Sequence, residues 1–302
     1  MKSRILLFVF SFLLMDLVGQ IGFEERIVID NTNTIDAPTD IAYADINGDG
    51  FMDVLSASTG DGKIAWYENL DGLGIFTQKI ITDNLIGATA IFTVDLDGDG
   101  DQDVLAASNF LNRVVWYEHL DGQGEFGDPQ IISNDALGAT SIFAADIDGD
   151  GDIDILSGSK TDKKVAWYEN MDGQGDFGLP NIISIGEDEI ESIYASDVDG
   201  DGDGDMDVLS AAAAVSKIAW YENEDGGGDF GEAKIIHEFT SGNSIISTDI
   251  DGDNDMDVFV SSISSNITFW FRNEDGLGNF SSETVILSFF YFTKIIFWEI
   301  DL

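Results

Sequence analysis

The chain has 302 residues, with 58 acidic against 13 basic side chains and a formal charge of −45 at pH 7. That balance argues against binding to a nucleic-acid backbone, which depends on neutralising phosphates with Lys and Arg. The absence of cysteine rules out disulfides, zinc–thiolate sites and thiol nucleophiles, while 44% hydrophobic residues and regularly spaced Trp point to a folded core beneath an acidic surface.

At the N-terminus, Lys2 and Arg4 precede the apolar run Ile5–Leu14, and Gly19 stands before Gln20. This pattern predicts a signal peptide over residues 1–19 and a mature domain over 20–302, hence a secreted or cell-surface protein. The run is about ten residues, short of the ~20 that span a bilayer. Phe23–Ile29 then matches the last strand of a later repeat, compare Phe76–Ile81.

From here the same acidic loop recurs five times. The copies lie at 45–53 (Asp45, Asn47, Asp49, Phe51, Asp53), 95–103 (Asp95, Asp97, Asp99, Asp101, Asp103) and 146–154 (Asp146, Asp148, Asp150, Asp152, Asp154). An expanded copy at 197–207 follows, then 249–257 (Asp249, Asp251, Asp253, Asp255, Asp257). Oxygen-bearing side chains stand at positions 1, 3, 5 and 9, and position 7 would contribute its backbone carbonyl, so Phe51 is no defect. All-oxygen ligands without His or Cys suit calcium better than magnesium, which keeps its own waters. The last ligand at position 9, followed at once by a strand, distinguishes the loop from an EF-hand. Two registers fit the expanded copy. One starting at Asp197 keeps an apolar second position; the one preferred starts at Asp199 and gives Asp199, Asp201, Asp203, Asp205 and Asp207 as candidate metal residues.

Each repeat carries four β-like segments, in the second copy Ala90–Val94, Val104–Ser108, Arg113–Glu118 and Phe126–Ile132. Asp-Gly pairs at Asp71, Asp121, Asp172, Asp225 and Asp275 mark tight hairpins. Trp66, Trp116, Trp167, Trp220 and Trp270 follow one another at intervals of 50, 51, 53 and 50 residues. Four antiparallel strands per ~50 residues is the unit of a β-propeller blade. The predicted fold is therefore all-β, a propeller of five complete repeats with partial ones at both ends. A partial repeat at 289–302 ends the chain, its Thr293–Asp301 aligning with Thr140–Asp148. Either the ends cap a five-bladed ring, or the repeats form an open or truncated ring; the missing strands favour the open arc.

These loops, the Phe-Gly pairs (Phe126-Gly127, Phe177-Gly178, Phe230-Gly231) and the period resemble FG-GAP/VCBS repeats, a family similar to the propeller of integrin α-subunits and to some propeller lectins. The resemblance covers roughly residues 23–302. It implies calcium in the inter-strand loops, an extracellular setting and a role in adhesion or ligand binding, although the family's seven-bladed members have more repeats.

Other candidates are weaker. The Trp-Tyr-Glu-Asn stripe reads as blade core before it reads as a sugar-stacking platform. His119 and His237 read as surface substitutions. No Asp or Glu breaks the repeat pattern as a catalytic constellation would, so no enzyme activity is expected. The function that emerges is a non-catalytic adhesion or ligand-binding module with structural calcium and an extracellular protein or glycan as partner. A carbohydrate-binding lectin, or an accessory domain of a polysaccharide-degrading enzyme, is the alternative.

Overall fold

The computed structural model describes residues 6–7, 36–186, 189–200, 205–213, 217–238, 241–287 and 297–298. The described residues form five four-stranded antiparallel sheets whose strands pair in chain order. Blade one comprises Pro38–Ala44, Asp53–Ser58, Ile64–Asn69 and Phe76–Thr82; blade two Ala88–Val94, Asp103–Ser108, Arg113–Tyr117 and Gln130–Ser133. Blade three comprises Ala139–Ala145, Asp154–Ser159, Lys164–Tyr168 and Asn181–Ile185; blade four Ile190–Ser196, Asp207–Ala212, Lys217–Tyr221 and Lys234–Glu238. Blade five comprises Ser244–Thr248, Asp257–Ser262, Ile267–Phe271 and Thr284–Leu287. Outside the blades, Leu6–Leu7 pairs with Phe297–Trp298 in a two-residue antiparallel ladder. The remainder of the expected signal peptide and the expected strand at Phe23–Ile29 lie outside the described residues.

Period-two alternation determines how the blades stack. In the second and third strands of each blade, one set of side chains faces the preceding blade and the other the following one. Leu55 and Trp66 of blade one thus share a core with Val104, Val115 and Tyr117 of blade two. Leu105 and Trp116 meet Ile155 and Tyr168; Leu156 and Trp167 meet Val208 and Tyr221; Leu209 and Trp220 meet Val258 and Phe271. The Trp stripe is accordingly core, as its spacing indicated. Innermost strands are also tied directly: the hydroxyls of Thr39, Thr89 and Thr140 donate to the carbonyls of Ala88, Ala139 and Ile190 in the next blade at 2.8, 2.8 and 2.7 Å.

Among the described residues no comparable core joins blade five to blade one, and Trp270 is only half-buried where its four counterparts are buried. This agrees with the open arc.

One prediction needs correction. The fourth strand does not run unbroken from the Phe of the Phe-Gly pair. In blades two to four that Phe, and in blade five its counterpart Phe280, forms an isolated bridge (His119–Phe126, Asn170–Phe177, Asn223–Phe230, Asn273–Phe280), and the strand resumes a few residues later. The cause is one extra residue. Asn69 pairs with Phe76 and Trp66 with Lys79 in one register in blade one, whereas His119–Phe126 and Trp116–Gln130 differ by one, so the longer segment bulges.

The hairpin glycine of each blade lies against the Trp of the blade before it. A Cβ on Gly175 would sit 2.4 Å from the Trp116 ring, and Gly124, Gly228 and Gly278 stand equally close to Trp66, Trp167 and Trp220. We therefore predict that Gly175→Ala destabilises the protein by about 1–3 kcal/mol more than Gly151→Ala. Both glycines have positive φ (88° and 98°), but Gly151 has nothing within 4 Å of its missing Cβ. Urea unfolding in chelator would measure both, and equal losses would contradict the interlock.

Candidate metal centres

Each acidic loop joins the first strand of a blade to the second, so its carboxylates are carried between two strands whose register the inter-blade core holds. In the second loop the Asp95 carboxylate accepts N–H bonds from Gly98 (2.9 Å) and Gly100 (3.0 Å). Asp97 accepts one from Asp99 (3.2 Å), and Asp99 one from Asp101 (2.9 Å). The same bonds recur from Asp146, Asp148 and Asp150 in the third loop, and Asp45 and Asp49 play these parts in the first. Short Asp side chains at alternate positions therefore turn the loop around its own carboxylates.

Carboxylate oxygens of Asp95, Asp97 and Asp99 lie within 4.8 Å of one another, as do those of Asp146, Asp148 and Asp154, of Asp197, Asp199 and Asp207, and of Asp249, Asp251 and Asp257. Two oxygens on opposite sides of a calcium ion, each at 2.3–2.6 Å, stand about 5 Å apart. The donor chemistry and the spread both fit that ion. At position 7 the side chain rests on the hairpin glycine of its own blade, whichever residue it is: Phe51 on Gly72, Asp101 on Gly122, Asp152 on Gly173, Asp205 on Gly226, Asp255 on Gly276.

The fourth loop follows the register starting at Asp197, not the one at Asp199. Asp197 accepts from Gly200 as Asp95 does from Gly98, and Val198 donates to Asp207 as Leu96 does to Asp103. Asp199 is thus at position 3, and the two extra residues fall between it and Asp205. The burial of Val198 decides this, because the second position must enter the inter-blade core. Asp201 and Asp203 lie outside the described residues.

Position 9 has a second task that the spacing did not reveal. Asp53, Asp103, Asp154, Asp207 and Asp257 are buried, and each carboxylate accepts two backbone N–H bonds. One comes from position 2 of the loop (Ile46 3.2, Leu96 2.9, Ile147 2.9, Val198 3.0, Ile250 3.4 Å). The other comes from the residue sixteen positions on, just past the third-strand Trp (Asn69 2.7, His119 2.7, Asn170 2.8, Asn223 2.9, Asn273 2.9 Å). Burial pushes Asp103, Asp154 and Asp207 up to about 7, against the pull of these donors.

The Asn at that sixteenth position links blades. Asn170, Asn223 and Asn273 donate from Nδ2 to the position-2 carbonyls of Leu96, Ile147 and Val198 in the preceding blade at 2.9, 2.8 and 2.7 Å. Their Oδ1 atoms accept from Gly175, Gly228 and Gly278. His119 stands here in blade two and is fully buried, contrary to its reading as a surface substitution. Its Nε2 accepts from Gly124 at 2.7 Å in place of an amide oxygen, and its ring stacks on Phe126 at 4.7 Å. His237 is half-buried beside Phe269 and Phe271, again not a free surface residue.

A further acidic position went unrecognised, the Glu of the Trp-Tyr-Glu segment. Glu68 accepts from Asn47 at 3.0 Å. Asp97 is held above the ordinary carboxylate range by burial first, then by Asp99, Glu118 and Asp95, while an N–H from Asp99 pulls the other way. Asp148 is raised by burial, then Asp150, with Glu169 and Asp146 adding to it. The recurrence of this Glu after the Trp-Tyr pair in four of the five repeats was the available signal.

Two outcomes follow. A carboxyl raised by folding contributes stability that is fully present below its unfolded pKa and is lost as pH rises through about 7. In chelator, stability should fall as pH rises from about 4 to about 7, and carboxyl-carbon NMR should place the midpoints of Asp103, Asp154 and Asp207 near 7. Secondly, the Nδ1 of His119 is buried without a hydrogen-bond partner, while its counterparts in blades three to five bond the preceding loop. His119→Asn should stabilise the protein by about 0.5–1.5 kcal/mol in denaturant unfolding, by supplying the missing bond to the Ile46 carbonyl.

The fold is shared with proteins of varied activity. A lectin from Agrocybe aegerita, whose structure describes recognition of non-reducing terminal N-acetylglucosamine, is 19% identical, with a TM-score of 0.59 over 86% of this chain and 70% of the lectin. A Bacteroides fragilis protein provisionally assigned as a 6-phosphogluconolactonase is 14% identical, with a TM-score of 0.55 over 82% of this chain and 70% of its own. An auxiliary nutrient-binding protein of Bacteroides ovatus is 12% identical, with a TM-score of 0.54 over 83% of this chain and 57% of its own. At these identities the likeness is one of fold. Among curated proteins, none matches the chain significantly. The model of the FG-GAP-like repeat matches residues 45–106, 95–157, 148–203 and 201–260, each match running from one acidic loop into the next. The chain belongs to the FG-GAP-like repeat family.

Proposed function

We propose that this chain is a secreted, calcium-binding repeat module that engages an extracellular protein or glycan and carries out no chemistry of its own. The observation that carries the reading is the recurrence of one carboxylate cluster at the same place in successive blades, with oxygens close enough to share a cation. Such a cation would bind the loop carboxylates at positions 1, 3, 5 and 9. Position 9 is hydrogen-bonded to the third strand, and position 2 to the next blade. Metal occupancy is therefore coupled to the joint between blades, which is a structural role for calcium.

A non-catalytic role is supported by the repetition itself. The raised carboxyls at Asp103, Asp154 and Asp207 have the same environment in three blades, which marks them as parts of the repeat and not as one asymmetric acid–base site. Ligand binding is supported by a fold shared with a lectin and a nutrient-binding protein. Export is supported by the N-terminal charge and apolar pattern, and among the described residues no helix is long and apolar enough to cross a membrane.

Extracellular calcium modules bind at ~10⁻⁴–10⁻³ M, so millimolar calcium should stabilise each occupied loop by up to ~1.4 kcal/mol. Excess chelator should lower the melting temperature by many degrees, with poor rescue by magnesium; an unchanged melting curve would remove the calcium reading. Asp99→Ala should cost one equivalent of calcium in a titration and leave the other calcium-binding loops occupied, because repeat arrays couple mainly between neighbours. A glycan array run with and without calcium would separate a carbohydrate ligand from a protein one.

A further inference from the structure

The five loops are not equivalent. In blades one to four the residue after the Trp-Tyr pair is Glu68, Glu118, Glu169 or Glu222; in blade five it is Arg272. In blades one to three this position faces the acidic loop of its own blade. Glu68 touches position 3 of the first loop, and Glu118 and Glu169 lie close enough to position 3 of theirs to raise its carboxyl. The substitution therefore reverses a charge at the wall of the candidate metal site.

Arg272 uses that place. Its Nε lies 2.7 Å from Oδ2 of Asp251, and its Nη2 lies 2.7 Å from Oδ2 of Asp253. One guanidinium thus spans positions 3 and 5, the side chains that a wrapped cation would need to share. The fixed fork of N–H donors suits a pair of carboxylates in a way that an ammonium would not. The loop is otherwise built like its sisters: Asp249 accepts from Gly252 at 2.8 Å and from Asn254 at 3.0 Å, and Asp257 is buried and bonded to Asn273. Its oxygens are close enough to hold an ion, yet two of the carboxylates already have a cation. A calcium ion entering there would have to displace the guanidinium and then sit beside its positive charge. It would also lack the added negative charge that Glu118 and Glu169 supply beside the second and third loops.

We propose that Arg272 is the resident counter-ion of the fifth loop, so that this loop folds without calcium and does not take up the ion in the range where the other loops do. The inference rests on the calcium reading of the sister loops, and its test separates the two. Calcium bound to the full chain would be counted by equilibrium dialysis. Arg272→Glu, which restores the residue of the other blades, should bind one equivalent more than the unsubstituted chain. Asp251→Ala, at position 3 of the fifth loop, should leave the count unchanged, whereas Asp97→Ala, its counterpart in the second loop, should lower it by one. Equal counts for Arg272→Glu and the unsubstituted chain, or loss of an equivalent on Asp251→Ala, would overturn the proposal.

Melting in chelator gives a readout that needs no calcium. Arg272→Gln should lower the melting temperature by leaving the fifth-loop carboxylates unneutralised. No drop for Arg272→Gln would overturn the counter-ion role even if no loop bound calcium, the result that would itself refute the calcium reading.

Discussion

A four-stranded sheet that must bury both faces cannot do so alone, and this requirement organises the molecule. Each blade gives its Trp and Leu to the following neighbour and its Tyr and Val to the preceding one, so a core exists only where two blades meet. The contact is close enough to require glycine at the hairpin that covers each Trp. Stability in such an array is a sum of joints. Among the described residues the last Trp has no following blade and is the one left half-exposed.

The acidic loops are part of those joints and not ornaments on them. The carboxylate at position 9 is buried and bridges the start of its loop to the end of the third strand. The Asn sixteen residues on reaches from that strand to the loop of the blade before. Loop, strand and neighbouring blade are thus connected by four or five hydrogen bonds through two side chains. Burying a carboxylate is costly, which is why Asp103, Asp154 and Asp207 are pushed up to about 7, and a bound cation would lower that cost where N–H donors alone do not. His119 shows how far the joint tolerates change. It keeps the acceptor toward the hairpin, but its Nδ1 makes no bond to the preceding loop.

The repeat makes departures from it informative. An Arg among four Glu residues at one position would pass as surface variation in a chain without repeats. Here it stands at a place that faces the acidic loop in blades one to three, and it forms ion pairs with two carboxylates of its own loop. The extra residue in the fourth strand of blades two to five is absorbed differently, as a bulge at the outer edge where no neighbouring strand must keep register.

Much of this was legible in the residues themselves. The fifty-residue period, the Asp-Gly hairpins and the alternation around each Trp determine four strands per blade and a core between blades, because β-structure records its two faces in adjacent residues. Asp, Asn and Gly at fixed short spacings determine the acidic loop, since its bonds form within nine residues. Tertiary structure decided what depends on partners far along the chain. The register of the fourth loop turned on whether Val198 or a later residue enters the core of the next blade. The burial of His119 turned on a hairpin closed five residues away and on the Phe126 ring stacked against it. The second task of the position-9 carboxylate, and the ion pairs of Arg272, appear only when a residue sixteen, nineteen or twenty-one positions away is folded against the loop. Local periodicity carries no record of such distances, and packing between blades does.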